Sequence, residues 1–162
     1  LRAYPQVNSS FFLDERRHVL HGDLNIGIAV DTQRGLIVPA LRNADRLSIP
    51  DIARQLATMA ENVRNGEFSV EDVRGSTFSI STLGAIGGTY STPIINVPET
   101  AILLIGRSRK MPVVVDDKIV PRLMMPLSIS YDHRLIDGGA AARFLNDVIG
   151  YLEAPSRLLL AP

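Results

Sequence analysis

The sequence predicts a two-layer α/β sandwich, in which helices cover one mixed β-sheet. Its two strongest helical patterns, over residues 48–65 and 139–153, stand among many short strand-like segments. The chain has 162 residues, of which 46% are hydrophobic and 21% are charged. One domain with a core of its own is therefore expected.

The first part of the chain is strand-like. Alternating apolar residues favour two hairpins, one pairing residues 11–14 with 17–20 and the other pairing 25–31 with 36–41. A charged turn separates the first pair, and the polar segment 32–35 separates the second. Short strands that return on themselves are typical of one sheet layer of such a sandwich.

A first helix is predicted over residues 48–65. Ser48 supplies a hydroxyl cap, Pro50 fits the first turn, and Gly66 can end the helix. Apolar residues recur between them at helical spacing, which predicts one face packed on a sheet: Ile52, Leu56, Met59 and Val63.

The middle of the chain returns to strands. Residues 77–84 predict a strand that enters a pair of glycines at 87–88, where the backbone can approach another group closely. A phosphate-binding loop explains these glycines less well, because its lysine and helix start are missing. The apolar run 102–106 predicts a buried strand, and residues 112–115 with 118–120 predict a hairpin.

The last strand and the last helix enclose a titratable cluster. An alternating run over 127–131 predicts the strand, and His133, Arg134 and Asp137 stand between it and the helix. Histidine is the side chain that ionises near neutral pH, so His133 is the natural proton carrier. Taken alone, the tripeptide Asp132-His133-Arg134 is more typical of a solvated turn that holds a local ion pair, with Arg134 as a structural partner.

Composition narrows the class of function. The formal net charge is zero, which argues against nucleic acid or an anionic membrane as the main partner. The chain has no cysteine, which excludes disulfides and cysteine nucleophiles and favours a reducing compartment. No apolar run approaches membrane-spanning length. His18 and His21 have no third ligand at a convincing spacing, so no metal site is predicted.

Several motifs together resemble one enzyme family. Residues 132–138 read Asp-His-Arg, two further residues, then Asp-Gly. This resembles the catalytic signature of the dihydrolipoamide acyltransferases, the E2 core enzymes of 2-oxo acid dehydrogenase complexes. The related chloramphenicol acetyltransferases have the same spacing from histidine to Asp-Gly. The Pro-Ile-Ile-Asn and Pro-Glu-x-Ala-Ile-Leu elements within 91–103 are also similar to E2 cores, and the likeness runs from about residue 8 to the end.

The resemblance implies an acyltransferase catalytic domain over residues 1–162, with a chloramphenicol acetyltransferase-like fold. An N-terminal arm, with a helix and a strand, is expected to be absent, as are the lipoyl and subunit-binding domains. Coenzyme A would be the cosubstrate, a separate lipoyl domain would supply the lipoyl group, and no metal is implied. A homotrimer within a cage of trimers is implied, with E1 and E3 components as partners, in a bacterial cytoplasm or a mitochondrial matrix.

The resemblance also implies roles for residues. His133 would take the proton of the coenzyme A thiol and return it to the leaving lipoyl sulfur, while the Ser81 hydroxyl would stabilise the oxyanion. Asp137 would orient the turn around His133. In this family the histidine and the serine come from neighbouring subunits. The positions carried over to the coenzyme A site are Asp31, Ser81, Thr82, Gly106 and Ser108.

Two other functions stay open. A non-catalytic core subunit would keep the fold and the assembly, although the intact His133 and Ser81 argue against it. Free-standing acetylation of an antibiotic is disfavoured by the E2-like segment 84–103. For the acyl group, residues 86–90 resemble acetyl and branched-chain cores more than succinyl cores, so acetyl is expected first and branched acyl second.

Overall fold

The structure is a computed structural model that describes residues 1–84 and 87–160, with side chains to residue 158. Within these residues the chain forms eleven strands, two α-helices and two short 3-10 helices. The strands are β1 (Ser9–Phe12), β2 (Arg17–Leu20), β3 (Ile26–Ile28), β4 (Val30–Thr32), β5 (Gly35–Ile37), β6 (Ala40–Leu41), β7 (Phe78–Thr82), β8 (Ala101–Ile105), β9 (Arg109–Val115), β10 (Lys118–Met124) and β11 (Leu127–Tyr131). The helices are α1 (Ile49–Asn65) and α2 (Gly138–Glu153), and the 3-10 helices are Ala44–Arg46 and Pro155–Leu160.

Five strands form the central sheet, in the order β11-β8-β7-β3-β6. The three inner strands β3, β7 and β8 are parallel, and the two edge strands β6 and β11 are antiparallel to their neighbours. Three separate antiparallel hairpins, β1-β2, β4-β5 and β9-β10, surround it. The prediction of a mixed sheet with two helices is therefore confirmed.

The core lies between the sheet and α2. Phe144 of α2 meets Phe78 of β7 edge to face, with ring centroids 5.8 Å apart. Leu103 of β8 and Ile136, just before the helix, belong to the same buried cluster. Leu152, eight residues after Phe144 on α2, is exposed, because residues eight apart on a helix are rotated about 80° from one another.

Helix α1 begins and ends as its sequence predicts. The Ser48 hydroxyl accepts a hydrogen bond from the backbone N–H of Asp51, and Gly66 ends the helix with a left-handed φ of 79°. Val63 is buried, and Ile52, Leu56 and Met59 of the same stripe are half-buried. The helix packs beside β4, at the β6 edge of the sheet.

Two predicted strands are each divided in two. Residues 25–31 give β3 in the central sheet and β4 outside it, and residues 36–41 give β5 and β6. The break falls at Pro39, which has no N–H to donate, while its carbonyl accepts from Ile28. The segment therefore leaves the sheet as a small hairpin, β4-β5, before β6 returns to it.

The hairpin β9-β10 is longer than predicted. Its turn residues Asp116 and Asp117 both adopt left-handed φ angles, 49° and 60°, as a tight two-residue hairpin turn requires. No helix in the described part of the chain is long and apolar enough to cross a membrane.

Candidate active site

His133 lies on a tight turn between β11 and α2. The backbone N–H of Asp132 donates to the carbonyl of Thr100 at 2.8 Å, which ties the start of the turn to the residue just before β8. The N–H groups of Leu135 and Ile136 both donate to the Asp132 carbonyl at 3.0 Å, and Ile136 is buried in the core. The His133 side chain is exposed, so a rigid turn presents an imidazole to the surface.

Asp132 and Arg134 pair with each other across His133. The Arg134 guanidinium donates to both carboxylate oxygens of Asp132, from Nε at 2.9 Å and from Nη2 at 2.6 Å. Hydrogen bonding from Arg134 lowers the pKa of the Asp132 carboxyl below its ordinary value. The predicted ion pair of Arg134 is thus present. Its partner is Asp132, the acidic residue of the Asp-His-Arg tripeptide for which the sequence predicted a local ion pair.

Asp137 caps helix α2. Its Oδ1 accepts a hydrogen bond from the backbone N–H of Ala140 at 2.7 Å, so the carboxylate occupies the N-terminus of the helix. A side chain at Gly139 would stand 3.1 Å from that oxygen, which explains the glycine after the Asp-Gly pair. The carboxylate ties the turn that carries His133 to the helix, and this agrees with an orienting role.

Ser81 points away from the face of the sheet that packs on α2. Side chains alternate along a strand, so Phe78 and Ile80 of β7 face the core while Ser79 and Ser81 face the opposite side. The Ser79 hydroxyl is buried and accepts from Asn96 at 3.3 Å. Ser81 is half-buried, and the next residue, Thr82, is exposed. The Ser81 hydroxyl therefore lies close to the surface at one end of the sheet.

The structure does not bring His133 and Ser81 together within one chain. Ser81 is level with Leu104, whereas Tyr131, the last residue of β11, is level with Ala101. Two strand spacings across the sheet and three residues along it separate Ser81 from Tyr131 by roughly 14 Å. His133 lies further on, beyond the end of β11. The two side chains stand at opposite ends of one sheet.

The positions carried over to coenzyme A cluster at the Ser81 end. Thr82 is level with Ile105, the residue before Gly106, and Asp31 follows the C-terminal end of the parallel strand β3. Ser108 comes two residues after Gly106 and is exposed. These positions therefore lie towards the C-terminal ends of the parallel strands, where α/β sheets commonly bind ligands.

A loop closes over this end of the sheet. The N–H of Arg107 donates to the Gly88 carbonyl at 2.9 Å, and a side chain on Gly106 would fall 2.1 Å from the Thr89 carbonyl oxygen. Gly106 is thus required for the close approach of the two backbones.

The prediction of acyl preference rested on residues 86–90, of which Ile86 lies outside the described residues.

The sequence did not predict one buried carboxyl, that of Glu99. Glu99 is 5% exposed, and its Oε1 accepts from the Ser76 hydroxyl and the Asn96 amide. Its Oε2 is buried and has no partner among the described residues. Burial raises the pKa of Glu99, and the hydrogen bond from Ser76 opposes that shift. Nothing in its sequence context, between a proline and a threonine, signals this environment.

No group of three or more histidine or acidic side chains within residues 1–84 and 87–160 could hold a metal ion. His18 and His21 bind serines instead. The Nε2 atom of His18 lies 2.9 Å from the Ser9 hydroxyl, and that of His21 lies 2.8 Å from the Ser10 hydroxyl. Both histidines therefore belong to the polar contacts that hold the β1-β2 hairpin.

The fold is that of the chloramphenicol acetyltransferase-like α/β proteins. The catalytic-domain model of the 2-oxoacid dehydrogenase acyltransferases matches residues 1–160. The chain belongs to this family.

Curated relatives carry three different acyl groups in their names. The chain is 47% identical to a dihydrolipoyllysine-residue succinyltransferase component of the 2-oxoglutarate dehydrogenase complex from Cupriavidus necator, covering 99% of this chain and 38% of the relative. It is 44% identical to an acetyltransferase component of the pyruvate dehydrogenase complex from the same species, covering 99% and 28%. It is 42% identical to a branched-chain lipoamide acyltransferase component from Pseudomonas putida, covering 99% and 38%. The chain thus spans less than two fifths of these relatives.

Solved structures agree with the family. The Azotobacter vinelandii dihydrolipoamide acetyltransferase superposes with a TM-score of 0.92 at 43% identity, covering 99% of this chain and 66% of that one. The cubic core of a pyruvate dehydrogenase multienzyme complex gives a TM-score of 0.92 at 42% identity, with the same coverage. A chloramphenicol acetyltransferase gives a TM-score of 0.56 at 16% identity, covering 92% and 70%, which shows a shared fold alone.

Proposed function

We propose that this chain catalyses transfer of an acyl group between a protein-bound dihydrolipoyl group and coenzyme A, at a site shared by two copies of the chain. The observation that carries the proposal is the placement of His133 and Ser81 at opposite ends of one sheet. His133 is exposed at its end of the sheet, and Ser81 is half-buried close to the surface at the other end. A site that uses both side chains needs the His133 end of one subunit against the Ser81 end of another.

The spacing of three residues supports this assignment. The Azotobacter vinelandii structure comes from a study of a serine, a histidine and an asparagine in the catalytic mechanism of that enzyme. There the serine stands 52 positions before the histidine and the asparagine four after it. Ser81, His133 and Asp137 have the same spacing. Asparagine caps a helix about as well as aspartate. Either residue at position 137 could therefore cap α2.

The chemistry needs one base and one hydrogen-bond donor. A thiol near neutral pH is mostly protonated, so His133 takes the proton of the coenzyme A thiol as the sulfur attacks the thioester carbonyl. The Ser81 hydroxyl from the neighbouring subunit donates to the oxyanion of the tetrahedral intermediate. When the intermediate collapses, His133 returns the proton to the lipoyl sulfur. No acyl-enzyme forms, and the reaction runs in both directions because the two thiols are alike.

Coenzyme A would enter at the Ser81 end of the sheet. Asp31, Thr82, Gly106 and Ser108 follow the strand ends there, and they are the positions that the resemblance assigns to this cosubstrate. The dihydrolipoyl group, carried by a separate lipoyl domain, would approach the same site from the opposite side. We also propose a homotrimer, within a larger cage that binds E1 and E3 components. The solved cubic core of a related complex supports the cage.

The acyl group is proposed to be acetyl, with branched acyl second. Relatives named for acetyl, succinyl and branched-chain acyl groups all stand between 42% and 47% identity, so overall similarity does not rank them. Steady-state rates of the full-length protein with acetyl-, isobutyryl- and succinyl-dihydrolipoamide test the order. We expect the highest kcat/KM with acetyl. A clear preference for succinyl would overturn the order, and no turnover with any of the three would reject the proposed activity.

A further inference from the structure

The neighbours of His133 on either side, Asp132 and Arg134, are bonded to each other. We propose that this ion pair is a clamp that positions His133 for proton transfer. The inference rests on the proposed function, because it deepens the role assigned to His133. Neither Asp132 nor Arg134 is proposed to touch the substrate, so both would be positioning residues.

The bonds of the clamp enclose the backbone of His133. Asp132 Oδ1 accepts from the backbone N–H of Arg134 at 3.0 Å and from Arg134 Nε at 2.9 Å. Asp132 Oδ2 accepts from Arg134 Nη2 at 2.6 Å. One carboxylate therefore binds both the main chain and the side chain of the residue two positions ahead. His133, between them, has little freedom to change its backbone angles while these bonds hold.

The clamp is anchored to the body of the protein at both ends. Asp132 is tied through its N–H to the carbonyl of Thr100, just before β8, and its side chain is 17% exposed. The Arg134 guanidinium lies over the ring of Phe11, 4.8 Å from the ring centre. Phe11 itself donates its N–H to the Pro98 carbonyl at 2.8 Å. A planar guanidinium can donate two hydrogen bonds to the Asp132 carboxylate and also stack on the Phe11 ring, whereas a lysine ammonium cannot do both.

The clamp also directs the negative charge of Asp132. Both carboxylate oxygens face Arg134, so the charge beside His133 is largely neutralised. Without Arg134, a free carboxylate next to the imidazole would favour its protonated form. The other titratable groups nearby are Tyr131, whose ring lies 5.5 Å from the His133 ring, and His18 of β2, which faces Asp132. The clamp therefore makes two separable contributions, one to geometry and one to charge.

The test uses single and double variants of the full-length protein: Arg134→Gln, Asp132→Asn and both together. We expect each single variant to lower kcat about 10–100-fold, since a small displacement of a catalytic group has effects of that order. KM for either thiol substrate should change less than about twofold. The double variant should be no slower than the slower single variant, because either change already opens the clamp. Arg134→Lys keeps the charge and should recover only part of the lost rate.

A matched control exists on the first hairpin. Arg17 pairs with Glu15, also two residues away, through Nε at 2.7 Å, and its guanidinium lies over the Phe12 ring. Arg17→Gln removes a similar ion pair with no histidine between the partners, and kcat should stay within about twofold of wild type. The melting temperature of every variant should fall by no more than about 2–4 °C, as expected for an exposed ion pair.

The pH dependence of kcat/KM separates positioning from general stability. In Arg134→Gln the acid limb should move to higher pH, because the freed carboxylate favours imidazolium, and in the double variant it should return to its wild-type position. Wild-type kcat in Arg134→Gln, or a loss equal to that of Arg17→Gln, would overturn the clamp while leaving the proposed function intact. An inactive wild-type protein would reject the proposed function itself.

Discussion

His133 is exposed on a turn that other residues hold, so its side chain can be removed without disturbing the fold. His133→Ala should lower kcat about 10²–10⁴-fold, the range typical of a lost general base. Steady-state assays of the full-length protein measure this, with circular dichroism and mass to verify folding and assembly. Near wild-type turnover in a correctly assembled variant would contradict the mechanism.

Asp137 has a structural task that two substitutions can separate. Asp137→Ala removes the cap of α2 and should lower the free energy of unfolding by about 0.5–2 kcal/mol. Asp137→Asn keeps an accepting oxygen for the Ala140 N–H and should lose much less. Urea denaturation of both variants measures the difference. Equal destabilisation by alanine and asparagine would show that the cap is not what Asp137 contributes.

Some residue roles could be predicted from the sequence, and others could not. The exposed histidine on a strand-to-helix turn follows from local pattern, because glycines and a capping aspartate stand at fixed offsets from it. The ion pair of Arg134 with Asp132 is also local, because only two positions separate the partners in the sequence. The burial of Glu99 does not follow from local pattern, because it depends on distant segments such as Ser76, which folds beside it.

Among the elements, the helices were predicted more accurately than the strands. Caps and a regular apolar stripe determine α1 within the chain itself. Strand boundaries depend on the neighbouring strand. β3 stays in the sheet because β7 runs beside it, while β4 turns away to pair with β5. A sequence pattern for residues 25–31 cannot show where one partner is exchanged for another.

The segment that enters β8 carries Glu99, whose raised pKa makes stability depend on pH. The folded state holds its proton more tightly than the unfolded state, for which the ordinary value is 4.5. The contribution of Glu99 to stability is therefore fully present below pH 4.5 and is lost as pH rises through the raised pKa. The free energy of unfolding of wild type, minus that of Glu99→Gln, should fall as pH rises from about 4.5 to 7.5.

Urea denaturation across this pH range measures the difference. Carboxyls with lowered pKa values, such as Asp51 and Asp132, depend on pH in the opposite sense, but they are present in both proteins and cancel. Glu61→Gln, which replaces an exposed glutamate on α1, serves as the control and should give a nearly flat difference. A flat difference for Glu99→Gln as well would show that the buried carboxyl stays ionised.

On the scale of the whole molecule, apolar surface on the described residues supports assembly. The hairpin β9-β10 leaves Ile119 76% and Leu123 71% exposed, and Met124 and Met125 are also partly open. Leu158, near the C-terminal end, is exposed too, while the side chains of residues 159 and 160 lie outside the described part. Patches of this kind are common at subunit interfaces, and closed symmetry buries the same patch on each copy.

The proposed division of the site between chains could not be predicted from spacing in the sequence. Ser81 and His133 are 52 positions apart, a separation equally compatible with neighbouring or distant side chains. Only the register of β7, β8 and β11 puts them at opposite ends of the sheet. The family resemblance supplied the expectation of a shared site, and the geometry of one chain supports it.

Complementation between inactive chains tests the shared site. Ser81→Ala should lower kcat about 10²–10³-fold if its hydroxyl stabilises an oxyanion. When full-length Ser81→Ala and His133→Ala chains are unfolded, mixed equally and reassembled, some interfaces receive an intact histidine from one chain and an intact serine from the next. In randomly mixed cyclic trimers about one quarter of the sites are complete, so activity should rise to about that fraction of wild type.

A second mixture checks the same geometry without relying on rescue. When wild-type chains are reassembled with an equal amount of the double variant Ser81→Ala/His133→Ala, a shared site is complete only where two wild-type chains adjoin. Activity per total chain should then fall to about one quarter of wild type, whereas a site built within one chain would keep about one half. Retention of one half, together with no rescue in the first mixture, would place the whole site in a single subunit.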